Sequence, residues 1–205
     1  MPSNPAGIFP PKWKQGDNWS VSMKTQAAVP ADLRPSYVEQ IFDFRVSAVP
    51  GDRSSSYRIE VRSQDAEDHE SYALYYRPDD FSLERVTRRK RGAAEETASE
   101  SSHNPFIYYQ RRLPIIPDFP VFGPSGGAGR SEFMVAGNRV VQEISLTGDQ
   151  ARITLERIEV LGSLRIVMEW AAGDPWWSTI ECSENPPPNA PFEREVVASG
   201  HLLKK

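Results

Sequence analysis

Wherever this chain is regular, it is regular with a period of two. In Trp19-Ser20-Val21-Ser22-Met23-Lys24 the odd positions are apolar, and in Phe42-Asp43-Phe44-Arg45-Val46-Ser47 the even ones are. Strand side chains point to opposite faces in turn, so each such stretch carries one greasy face and one wet face. Almost nothing repeats with the period of a helix. The pattern predicts an all-β chain built on one antiparallel, strongly curved sheet, a half-barrel or a sandwich.

Turn chemistry cuts the pattern into short strands, with 18 prolines and 13 glycines as punctuation. After Trp13 to Trp19, where the chain turns at Gly16, strands are expected over 38–49, 57–62, 72–76 and 81–87. Pro50-Gly51-Asp52 and Pro78-Asp79-Asp80 separate them. Further on, Val140–Leu146 and Ala151–Val160 flank Thr147-Gly148-Asp149-Gln150 as a hairpin. Leu164–Trp170, Trp176–Cys182 and Glu195–Leu203 complete the set. Short strands at this spacing read as an antiparallel meander. A length of 205 residues suits one such domain, 13–205, preceded by a proline-rich extended arm over 1–12.

The middle of the chain breaks the pattern. Arg88-Arg89-Lys90-Arg91 faces Glu95-Glu96 across Gly92, a zwitterionic stretch expected to form a mobile hairpin tip with a helical turn over 93–98. Phe106–Tyr109 reads as a strand. Pro114, Pro117, Pro120 and Pro124 then prevent regular pairing, so this apolar stretch is expected to cross an open end of the sheet as a packed loop, and with the proline-rich segment Asn185–Pro191 to close the ends in part.

Chemistry leaves few marks. Pro124-Ser125-Gly126-Gly127-Ala128-Gly129-Arg130-Ser131 approaches a phosphate loop, but Pro124 replaces the first glycine, Arg130 the lysine, and no helix pattern follows. It reads as a surface loop. His69, His103 and His201 stand apart at no ligand spacing, and Cys182 is the only cysteine, which excludes intrachain disulfides and thiolate metal clusters. Neither a Gly-x-Ser-x-Gly elbow nor a nucleophile signature at Cys182 is present. The adjacent carboxylates Asp79-Asp80 and Glu95-Glu96 would face opposite sides of a strand, poorly placed for paired acid–base work. The expectation is a protein without catalysis, cofactor or metal. A net charge of −4 argues against nucleic acid held by bulk attraction to phosphates, and no apolar run is long enough to span a membrane.

The aromatic residues carry the functional reading. Tyr75-Tyr76, Tyr108-Tyr109 and Trp176-Trp177 are expected to set one ring on each face of a strand, so some rings lie away from the main core. Either a second layer covers them or they line a concave surface for a ligand. The ligand reading takes Tyr76, Tyr109, Trp170 and Trp177 as lining residues, with Ile115, Ile116 and Phe119 as a lid.

Tyr72-Ala73-Leu74-Tyr75-Tyr76, followed by Asp79-Asp80-Phe81-Ser82-Leu83-Glu84-Arg85-Val86, resembles in pattern the bacterial envelope proteins with a curved half-barrel sheet, such as periplasmic lipoprotein carriers. The resemblance carries over no catalytic residue. It implies a non-catalytic binding protein of the cell envelope that holds an apolar or lipid-like ligand. Periplasmic or surface location would require a leader beyond Met1-Pro2-Ser3-Asn4-Pro5, which has no basic region followed by an apolar run. Two other readings stand beside it: an interaction or structural module that adds a strand to a protein partner through an exposed edge, and a hydrolase whose site is assembled from distant residues.

Overall fold

The computed structural model describes residues 12–26, 37–51, 56–65, 70–78, 83–97, 128–135, 138–159, 162–185 and 195–203. They form twelve strands and, among the described residues, no helix. β1 (Asn18–Gln26), β2 (Tyr37–Ala48), β3 (Tyr57–Ser63), β4 (Glu70–Tyr76), β5 (Leu83–Lys90) and β6 (Glu96–Thr97) make one antiparallel meander. A second comprises β7 (Gly129–Val135), β8 (Asn138–Thr147), β9 (Gln150–Glu159), β10 (Gly162–Ala171), β11 (Thr179–Asn185) and β12 (Glu195–Leu203). β1 pairs with β12, fusing the two into a single open sheet of order β6-β5-β4-β3-β2-β1-β12-β11-β10-β9-β8-β7. The expected arm over 1–12 lies, except for Lys12, outside the described residues.

Register puts like with like on one face. Trp19 sits opposite Phe44, and Phe44 opposite Val61. Ile180 sits opposite Met168, and Met168 opposite Ile153. These residues belong to one continuous buried core that draws on both meanders. Each fully buried aliphatic side chain contributes about 1.5–3 kcal/mol, so a one-residue slip of any strand would expose a whole row.

The sheet bends around that core. From β4 to β11 is five strand spacings, about 24 Å in a flat sheet. Yet the rings of Tyr76 on β4 and Trp176, which just precedes β11, lie 6.1 Å apart. Register shifts in β2 (Val46/Ala48), β4 (Tyr75/Tyr76) and β11 (Cys182/Ser183) supply local bends, since a bulge increases twist.

Two expectations need correction. Trp176 and Trp177 are not in a strand: β11 starts at Thr179, and both rings are buried in the turn that precedes it. Alternation therefore does not apply to the pair, and neither ring faces out. Residues 93–97 form no helical turn either; β6 pairs with β5, and Glu95 folds back onto the sheet. The strand expected at 106–109, the proline-rich crossing at 113–124, the second proline-rich segment after Asn185 and the remainder of the 93–98 turn lie outside the described residues.

Candidate functional site

All five tryptophans converge at one end of the bent sheet. A turn in which the Gly16 amide donates to the Val46 carbonyl, with Gly16 at φ 94°, swings Trp13 back over β1 and β2. There Trp13 stacks on Trp19 at 6.3 Å and on Trp176 at 6.0 Å. Trp176 lies 5.2 Å from Phe44, 5.7 Å from Trp170 and 6.5 Å from Trp177. The 172–178 turn is tied down by Ser178 Oγ, which donates to Asp174 Oδ2 (3.0 Å) and accepts from the Ala171 amide (3.2 Å).

Of the seven ligand-lining candidates, three come together here. Tyr76, Trp170 and Trp177 are 2%, 3% and 0% exposed, and their surfaces are taken up by one another and by the neighbouring core. Tyr109, Ile115, Ile116 and Phe119 lie outside the described residues. Among the described residues, the buried indole Nε1–H groups of Trp19, Trp176 and Trp177 have no hydrogen-bond partner.

A second cluster lies on the opposite, outer face of β3–β5. The Tyr75 hydroxyl and Thr87 Oγ1 both donate to Glu95 Oε1, and Arg58 and Arg89 reach Oε2 at 3.1 and 3.0 Å. Arg58 also donates to Ser47 Oγ (2.8 Å) and to Glu60. The Arg85 guanidinium sits 4.0 Å from the centre of the Tyr75 ring. Hydrogen bonds from Thr87 and Tyr75, with the Arg58 charge, hold the Glu95 carboxyl below its usual range. Burial pulls the Arg58 guanidinium down, but hydrogen bonds with Glu60 and Tyr75 outweigh it and leave its pKa raised. Beside this network there is space of only about 10 Å³, enough for one water. Its groups satisfy each other, which makes it a clamp for the β5–β6 hairpin.

Two further open grooves combine polar side chains with apolar ones. One groove of about 480 Å³ includes Asn18, Ser20, Asp43, Arg45 and Glu60, and another of about 370 Å³ includes Arg152, Arg165, Glu169 and Thr179. In the first, Ser20 donates to Asp43 at 2.6 Å; in the second, Arg152 pairs with Glu169 at 2.7 Å. Among the described residues no three His, Cys, Asp or Glu side chains are grouped to hold a metal ion. Cys182 is fully buried in β11 beside Ala198 and Ile166, and burial, with Glu184 and Glu181 nearby, pushes its thiol well up. His201 is exposed on β12; His69 and His103 lie outside the described residues.

At the other edge of the sheet, β7 is seven residues long, and no strand among the described residues pairs with its far side. The loop reading of 124–131 ends at Gly129, where β7 begins; a strand and not a phosphate-loop helix follows. Glycine spacing hid this strand, and only the alternation Arg130, Glu132, Met134 against Ser131, Phe133 signals it. Arg130, Glu132 and Met134 share the outer face, with Met134 65% exposed. Its neighbour across the sheet is Arg139, and beyond that lies Ile158, 40% exposed. No family model matches this chain, and no curated protein or solved structure matches it.

Proposed function

We propose that the protein is a non-catalytic interaction module that works by adding a strand to its sheet at β7. The carrying observation is the β7 edge itself: seven residues long, with the exposed Met134 on it, and with no strand among the described residues pairing with its far side. An open strand edge presents a row of unpaired amides and carbonyls, and apolar side chains beside it add area to whatever pairs there. Amide hydrogen exchange on dilute protein tests this. Alternate β7 amides, those directed away from β8, should exchange as fast as free peptide, with the others protected. Protection at every β7 position would mean the edge is already covered and would end the reading.

One observation supports the ligand-holding alternative. Three buried indole N–H groups without acceptors among the described residues cost roughly 1–3 kcal/mol each, which an amphipathic ligand with an acceptor head could recover. A lysophospholipid titration should then shift tryptophan emission; an unchanged spectrum counts against it.

A further inference from the structure

We infer that the strand added at β7 is the β7 of a second copy of this chain, paired antiparallel about Ser131. The inference rests on the edge reading above. Charges on an edge strand normally discourage pairing, but here they alternate in sign, and their spacing selects a single register. Centred on Ser131, a two-fold pairing puts Arg130 of each copy opposite Glu132 of the other. Centred on Glu132 it would oppose two carboxylates, and centred on Arg130 two guanidinium groups. Opposite charges directly across a strand pair stabilise it, and like charges disfavour it.

The intrachain neighbours extend the match. Arg130 already faces Glu143 across β8, so in the dimer it lies between two carboxylates. Its contact with Glu132 of its own chain is a long one, 3.6 Å, between side chains two residues apart on the strand. Glu132 faces Val141 within its own chain and takes Arg139 at 2.7 Å from the side, leaving the direction of the second copy for that copy's Arg130. Both side chains are open to solvent, 66% for Arg130 and 43% for Glu132. Met134 lies on this same outer face and would stand opposite Ala128 of the second copy.

The experiment is a charge-exchange test read by light scattering after size exclusion. Wild type should approach twice 23.1 kDa at high concentration and fall to the single-chain mass on dilution. R130E and E132R should each be monomeric, because each sets like charges opposite one another in a homodimer. Mixing the two variants should restore the doubled mass, since both carboxylates of the first then meet both guanidinium groups of the second. A monomeric wild type, single variants that still dimerise, or a mixture that stays monomeric would each overturn the inference. If circular dichroism shows that a variant has not folded, wild-type hydrogen exchange decides: the outward β7 amides must slow as concentration rises. Outward amides that stay fast at every concentration remove the second copy but leave the open edge standing; protection already present in dilute protein removes both.

Discussion

The indole N–H of Trp13 donates to the carbonyl oxygen of Pro175 at 2.7 Å, across 162 positions of sequence. This bond ties the turn that precedes β1 to the turn between β10 and β11, and it makes Trp13 a cornerstone of the aromatic end. Trp13→Phe keeps a ring against Trp19 and Trp176 but loses the bond, and should cost about 1 kcal/mol in urea unfolding. Trp13→Ala also opens a cavity and should cost about 3–5 kcal/mol.

Gly200 on β12 is fixed by its neighbours. A Cβ there would lie 2.3 Å from Met23 Sδ and 2.8 Å from the Ser22 carbonyl oxygen. Gly200→Ala should therefore destabilise by about 1–3 kcal/mol, as overpacking does. Combined with Met23→Ala, the loss should be smaller than the sum of the two, because the sulfur clash is gone while the backbone clash remains. A double-mutant cycle from urea midpoints measures this.

The Glu95 clamp predicts a pH dependence. Because the folded-state pKa lies below the ordinary 4.5, the carboxylate adds stability above about 4.5, and this is lost as pH falls through the folded value. Glu95→Gln should remove that acid-side loss and cost about 1–3 kcal/mol at neutral pH. Exchange of the Glu96 and Thr97 amides should rise in the same variant. A pH profile of stability identical to wild type would refute the clamp.

Cys182 should be chemically silent. Its thiol is buried and its pKa is raised, so little thiolate forms at neutral pH. Modification by a thiol reagent should follow global unfolding and accelerate with denaturant; a fast burst in native conditions would contradict the burial.

Much of the architecture is legible in the residues, and the reason is local. The alternation in 42–47, 151–159 and 164–170 reports faces directly, and the two-residue link Gly148-Asp149 closes its hairpin as the turn chemistry implies. Legibility fails where backbone leaves that period. Trp176 and Trp177 look like one ring in and one ring out, but the turn ahead of β11 buries both. β7 is concealed by the glycines that lead into it. The Arg58–Glu95 contact joins residues 37 positions apart on an outer face, where charge runs look like solvated loop. The β1–β12 pairing has no local signature at all. Trp13 and Trp19 foreshadow the aromatic end, yet its solidity depends on rings from both halves meeting.

That central pairing sets the order in which the molecule can be made. During synthesis, β2 through β6 can zip onto β1 as they emerge, but the other flank of β1 waits for β12, the last of the twelve strands in chain order. The seam therefore closes only once β12 has been made, a long-range step of the kind that slows folding and leaves a sticky intermediate. Truncating Glu195–Leu203 should split the nascent product into two half-sheets, and a chaperone holding the exposed flank of β1 would guard the newborn chain at its most vulnerable stage.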